Sequence, residues 1–278
     1  MDPSIAGVGW LAPPAPKAAH DGSMTWMTLK HRRVHAPNVN KQPLRERVWD
    51  ALEASGEARF PFPPHGRIPN FADADAACER LTNTPEWEAA ETLKANPDAP
   101  QLPVRRAALR AGKTVYVAAP RLREEQPFLR LAPGEVPDID DATTVSGAST
   151  HGVPVGPDEV PHVDLIVSGS VAVTEAGGRV GKGEGFADLE FAVLAELGAV
   201  DDATAVATTV HGMQVVDEAV DLDAHDVPLD LICTPGRTIR TVDARGGDPP
   251  ARPDGVDWGA LPDEKLESIP VLRRLHPE

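Results

Sequence analysis

The sequence predicts an α/β domain, and three observations carry that prediction. Strand-like apolar runs alternate with amphipathic helical segments from Lys41 onward, as where the helical pattern of residues 104–111 gives way at Gly112 to the β-rich run 113–118. Residues 163–190 join the apolar run Leu165-Ile166-Val167 to a glycine-rich segment, and then to the helical periodicity of Phe191, Val193, Leu194 and Leu197. The chain has 278 residues and 41% hydrophobic content, enough to bury the core of one large α/β domain or two small ones.

In chain order, residues 1–40 carry Pro3, Pro13, Pro14, Pro16 and Pro37 with little periodicity. They read as a disordered or mis-started extension, with Met24 and Met27 as alternative starts and residues 41–278 as the folded domain. Residues 41–58 place Leu44, Val48, Trp49 and Leu52 on one face, which predicts a helix ending near Gly56. Lys41 and Arg45, four apart, share a face of it. Residues 60–71 are punctuated by proline and predict a structured loop, with His65, Arg67 and Asn70 as its polar groups. A helix over 72–81 and a helical turn or two over 85–94 follow, then the helix 104–111 and the strand 113–118. Arg121 and Arg123 come directly after that strand's carboxyl end, where open α/β sheets place their ligands.

Residues 124–161 are rich in Pro, Gly and acids; they predict long loops with a small β excursion at 142–145. Beyond them come the strand at Leu165, a hairpin around 175–178, the glycine loop, the helix to Leu197 and a β-branched strand over 203–210. The last part of the run 225–235 is again strand-like, and a short helix within 261–275 docks a polar, proline-rich tail on the body.

Composition bounds the partners. With 43 acidic against 27 basic residues, the net charge of −16 predicts a solvated acidic surface of the salt-adapted kind and disfavours nucleic acid as a partner. The cluster Lys30, His31, Arg32 and Arg33 is read as a short solvated charge run. Cys78 and Cys233 sit in no CxxC or Cys/His pattern, so they predict buried thiols rather than zinc or a disulfide framework. No apolar run approaches the roughly 20 residues of a membrane helix, and no signal pattern opens the chain. A cytoplasmic monomer acting on a small molecule is expected.

The glycine segment points to chemistry. Gly181, Gly183 and Gly185 alternate with Lys182 and Glu184 just ahead of a helix. Such glycines allow positive φ and close approach of an anion, and the helix beyond offers unpaired amides. The pattern is neither the dinucleotide fingerprint nor the P-loop. A glycine-rich hairpin tip with no ligand stands as the alternative reading. Asp188, in the first turn of that helix, suits Mg²⁺ beside a phosphate, or serves only to complement the helix dipole.

Three separated segments, KQPLR at Lys41, GGRVGKGEGFAD at Gly177 and HDVPLDLICTP at His225, resemble the 5-formyltetrahydrofolate cyclo-ligase family, also called methenyltetrahydrofolate synthetases. The likeness extends over roughly residues 41–275. It implies a three-layer α/β/α sandwich around a mostly parallel sheet. It also implies an ATP- and Mg²⁺-dependent reaction, in which the formyl oxygen of 5-formyltetrahydrofolate is phosphorylated and ring closure gives 5,10-methenyltetrahydrofolate. By resemblance, Lys41 and Arg45 contact ATP. Arg179, Gly181, Lys182, Gly183 and Gly185 form the phosphate loop, with Arg179 and Lys182 as its catalytic cations. Asp188 and Asp226 hold Mg²⁺, while Asp98, Phe186 and His151 fall near the folate. Replacing either metal acid with Ala is expected to stop turnover without unfolding the chain. Phe186 and Ala187 stand where most members have two tyrosines, Glu184 stands where Lys is frequent, and His151 stands where a tryptophan is usual. These departures imply, as an alternative, a nucleotide-binding regulatory protein that has lost cyclisation.

Overall fold

The computed structural model describes residues 41–277, so the expectation for residues 1–40 lies outside the described residues. At its centre is an eight-stranded sheet in the order Thr238–Arg240, Leu231–Cys233, Ala205–Thr209, Leu165–Val167, Thr92–Ala95, Thr114–Ala118, Phe128–Leu131, Val153–Val155. Every pairing from Leu231–Cys233 across to Thr114–Ala118 is parallel, and the outer pairings are antiparallel. The mostly parallel sheet implied by the resemblance is present.

Side-chain alternation along a central strand explains the layering. In Leu165-Ile166-Val167 all three side chains are buried, as a strand covered on both faces requires. Leu165 and Val167 pack with Cys78, Leu81, Val104 and Leu109 from the helices Ala74–Thr82 and Leu102–Arg110. Ile166 faces the other way, onto Leu189, Val193 and Leu194 of the helix Phe186–Glu196, together with Val271 and Leu272 near the C-terminus. Burying each of these aliphatic side chains contributes about 1.5–3 kcal/mol. Helix, sheet and helix therefore form the three layers.

The helix Gln42–Ala54 buries Val48, Trp49 and Leu52 against the hairpin Ala172–Val173/Arg179–Val180, which carries the chain into the glycine loop. The expected final helix is two short ones, Asp263–Ser268 and Pro270–Leu275, separated at Ile269 by the proline that opens the second. The tail docks as expected, burying Ile269, Val271 and Leu272.

Two stretches differ from expectation. Residues 142–145 carry no β excursion: the helices Ile139–Ala142 and Val145–His151 meet there, capped by the Asp138 carboxylate and the Thr144 hydroxyl. Around them lie the strands Phe128–Leu131 and Val153–Val155, in what reads from sequence as loop. Residues 85–94 are helical only over Pro85–Ala89, and Thr92–Ala95 is a central strand. A lysine in that strand disguises it: Lys94 is 1% exposed because Glu190 of the facing helix neutralises it.

Candidate functional site

The order of the strands sets where a ligand can enter. From Thr92–Ala95 the chain moves outward through Thr114–Ala118 to one edge, then returns to Leu165–Val167 on the other side of its starting strand and moves toward the opposite edge. The switch point lies between Thr92–Ala95 and Leu165–Val167, and open α/β sheets leave a crevice there at the strands' carboxyl ends. A cavity of about 740 Å³ occupies it. Asn96, Asp98, Arg121 and Gly169 line it just past those strand ends, and the glycine loop with the first turn of Phe186–Glu196 forms another wall.

The loop is held open by its own conformation and by cations. Gly183 and Gly185 have φ of +108° and +69°, a region that β-carbon-bearing residues rarely adopt. Among the described residues, the amides of Lys182, Gly183, Glu184 and Gly185 donate to no protein acceptor. Those of Phe186 and Ala187 open the helix, where intrahelical partners are missing in any case. Successive free amides of this kind can receive an anion where they converge. Arg45 Nε donates to the Gly181 carbonyl at 2.7 Å, and its guanidinium lies beside Gly183. Burial lowers the pKa of Arg45. Lys182 and Arg121 both reach the Glu184 carboxylate, at 2.9 and 3.2 Å, so an acid of the loop already sits between two cations that face the cavity. The hydrogen bond from Lys182 is the main reason the pKa of Glu184 lies below its ordinary value.

The two acids expected to hold metal are neighbours. Asp188, 9% exposed, pairs with the buried Arg179 and accepts the Val227 amide at 3.1 Å, so residue 226 is brought alongside it. Burial alone would raise the carboxyl pKa of Asp188, but the charge and hydrogen bond of Arg179 outweigh it and hold that pKa below the ordinary value. Burial likewise opposes the charged form of Arg179, and Asp188, with help from Asp226 and Glu190, reverses that and raises its pKa. Asp226 pairs with Lys41 at 2.7 Å and accepts the Asp223 amide at 2.9 Å through the same oxygen. Each acid thus engages one oxygen, and its second oxygen meets no donor among the described residues. Among the described residues, no group of three or more His, Cys, Asp or Glu side chains is arranged to hold a metal. Two carboxylates with a free oxygen each fit Mg²⁺, which keeps waters and substrate oxygens rather than an all-protein cage.

This pairing corrects one expectation. Asp188→Ala would leave the Arg179 guanidinium buried without its counter-charge, at a cost of about 3–5 kcal/mol, so it would not merely remove a metal ligand.

On the opposite wall is Asp98, whose pKa is raised by burial, with Glu190 adding to that and Lys182, Arg105 and Lys94 opposing it. The turn presenting it is fixed by Arg105, which donates to the carbonyls of Asn96, Asp98 and Thr143 at 2.5, 3.1 and 2.9 Å. Burial pushes the pKa of Arg105 down to about 10. Gly169 leaves room for Asp98, since a β-carbon there would sit 3.1 Å from its carboxylate and 3.0 Å from Ile68. Phe186 lines the cavity at the loop end. His151 does not line it: at the end of Val145–His151 it pairs with Asp141 at 2.8 Å.

The structure brings together Arg45, Arg179, Gly181, Lys182, Gly183, Gly185, Phe186, Asp188 and Asp98, with Lys41 and Asp226 joined at the loop's flank. Sequence reasoning missed Glu190, which lines the cavity with Asn96 and pairs with the buried Lys94. A lysine in a strand and a glutamate on an apolar helix face are the signals that could have found the pair. Lys265 was missed as well, because nothing near residue 265 in sequence ties it to the loop.

Residues 37–235 match the model of the 5-formyltetrahydrofolate cyclo-ligase family. The chain is 46% identical over 242 residues to a mouse methenyltetrahydrofolate synthase domain-containing protein, covering 85% of this chain and 63% of that protein. Its human counterpart is 41% identical over 244 residues, covering 86% of this chain and 62% of the human protein. The chain therefore spans less than two thirds of the length of these relatives. The solution structure of Aquifex aeolicus 5,10-methenyltetrahydrofolate synthetase aligns at 20% identity with a TM-score of 0.46, over 72% of this chain and 92% of that one. With the family match extending over well more than half of its residues, the chain belongs to the 5-formyltetrahydrofolate cyclo-ligase family.

Proposed function

We propose that the protein converts 5-formyltetrahydrofolate to 5,10-methenyltetrahydrofolate at the expense of ATP, with Mg²⁺. The observation that carries this reading is the row of unpaired amides at residues 182–185, flanked by Arg45 and Lys182, in a loop that lines a switch-point cavity in a chain of this family. The formyl oxygen attacks the terminal phosphorus and ADP leaves. N10 then attacks the activated formyl carbon, the carbon–oxygen bond breaks with loss of phosphate, and the N10 hydrogen departs as a proton. Phosphoryl transfer asks the protein chiefly for positioning and for positive charge at the phosphate oxygens. The loop amides and Lys182 would receive those oxygens. Lys41 and Arg45 add charge from the Gln42–Ala54 helix and its start, while Arg179 orients Asp188. Asp188 and Asp226 would hold Mg²⁺, which neutralises phosphate charge when bound. Asp98 and Phe186 face the space left for the folate. The test is methenyl absorbance on mixing the full chain with 5-formyltetrahydrofolate, ATP and Mg²⁺. A signal that requires all three supports the reading, and its absence at low and high salt alike removes it.

A second reading, nucleotide binding without cyclisation, is favoured by the Glu184 carboxylate lying across Lys182 and Arg121. In that case ATP with Mg²⁺ raises the melting temperature and folates do not, because only a ligand of the native state shifts its unfolding.

A further inference from the structure

The residues beyond 235, outside the family match, fold back over the helix Phe186–Glu196. Val256, Ile269, Val271 and Leu272 are buried in the layer that helix shares, Glu196 accepts the Val256 amide at 3.0 Å, and Arg274 pairs with Asp158 at 2.9 Å. One cation of this segment reaches the glycine loop. Lys265 Nζ donates to the Glu184 carbonyl at 2.9 Å, stands 5.2 Å from the centre of the Phe186 ring, and lies 3.3 Å from where a β-carbon on Gly185 would be.

Lys265 is unlike most cations around the loop. Lys41, Arg121, Arg179 and Lys182 each have a carboxylate partner, whereas Lys265 has none within ion-pair distance among the described residues and is bound to a backbone oxygen. Burial lowers its pKa, although the charges of Asp188 and Glu184 act in the opposite sense. An ammonium placed this way acts on the peptide it holds. The 184–185 peptide is trans, and a trans peptide directs its C=O and N–H to opposite sides. With the Glu184 oxygen drawn to Lys265, the Gly185 amide is turned away from Lys265. Gly185 lines the cavity, and its amide has no protein acceptor among the described residues.

We propose that Lys265 is a positioning residue for the phosphate loop: the C-terminal segment holds the 184–185 peptide so that the Gly185 amide is presented to a phosphate oxygen of the bound ligand. This rests on the nucleotide reading above, and it assigns a site role to a segment outside the family match.

The test uses inorganic tripolyphosphate and the full chain, with calorimetry for affinity and the ¹⁵N–¹H resonance of Gly185 as the local readout. Lys265→Met keeps the stem against Phe186 and removes the donor; it should weaken binding roughly tenfold, the scale of one charge-assisted hydrogen bond, and abolish the Gly185 shift seen in the wild type. Lys265→Arg should restore binding to within about twofold, because it keeps a cationic donor. Arg274→Ala, on the same segment but distant from the loop, should leave binding unchanged. Wild-type affinity retained in Lys265→Met overturns this inference and leaves the proposed function standing, as does failure of Lys265→Arg to restore binding. If wild type binds no tripolyphosphate, both fall. Should Lys265→Met melt below Arg274→Ala, the wild-type Gly185 resonance decides, and a resonance that does not move overturns the proposal.

Discussion

Glu184 bears on function more than any other departure visible in the sequence, and its geometry turns a compositional oddity into a measurable effect. Its carboxylate holds Lys182 and Arg121 together, so an incoming phosphate must displace an internal anion and also meet its charge. Glu184→Gln removes that competition while keeping the side chain's size; ATP should bind about 3- to 10-fold tighter at low salt, with the gain shrinking as salt screens the site. Titration calorimetry at two ionic strengths reads both effects. Asp188 carries a second prediction, on pH. Its folded pKa is depressed below the ordinary Asp value, so the stability it contributes is complete above that value and is lost as pH falls through the folded pKa. Asp188→Asn should therefore flatten the acid limb of the stability curve, measured by denaturant unfolding between neutral pH and the carboxylate range. It should also remove the Mg²⁺ dependence of any ATP binding, whereas Asp226→Asn should do the latter at a smaller cost in stability, because its partner Lys41 keeps 18% of its side chain exposed against 5% for Arg179.

Between elements, the buried pair Lys94–Glu190 joins a central strand to the helix that opens at the loop, and Asn96 donates to the same carboxylate at 3.2 Å. Removing only Lys94 leaves a carboxylate stranded beside the cavity. Lys94→Met should cost about 3–5 kcal/mol, while Lys94→Met with Glu190→Leu should recover most of that, a non-additivity that a double-mutant cycle measures by urea unfolding. This pair also explains how the elements read from sequence. Periodicity sufficed for Gln42–Ala54, Ala74–Thr82, Leu102–Arg110 and Phe186–Glu196, whose apolar stripes are uninterrupted. Thr92–Ala95 escaped because its lysine is neutralised by a residue 96 positions away. The outer strands Phe128–Leu131 and Val153–Val155 escaped because they are short and bounded by proline in the first case and interrupted by Pro154 in the second. The cysteines fit their expectation at this scale: both are buried, and burial pushes Cys78 up to about 12 and Cys233 up to about 11. Neither should react with iodoacetamide until the chain unfolds, a protection that mass spectrometry with and without denaturant will show.

Taken whole, the described residues form a sheet whose strand order reverses beside Thr92–Ala95, and the cavity follows from that reversal. A ligand bound there touches both halves of the sheet as well as the Phe186–Glu196 helix. Saturating ATP with Mg²⁺ at 100-fold over its dissociation constant should thus stabilise the entire unit, by about 2.7 kcal/mol, read as a single shifted thermal transition rather than a local one. No helix among the described residues is long and apolar enough to cross a membrane. Alone, the sequence determined the α/β class, the glycine loop and its following helix, and the family, because backbone freedom at Gly181, Gly183 and Gly185 and the 3.6-residue apolar period are local properties. Only the tertiary structure decided which charges meet. It set Asp226 beside Asp188 and Glu184 across Lys182 and Arg121, turned His151 to Asp141, and brought Lys265 to the loop. Apart from Lys182 and Glu184, which share the loop, those pairings join residues from separate elements, and pair energies fall off within a few ångströms, so they exist only once those elements have packed.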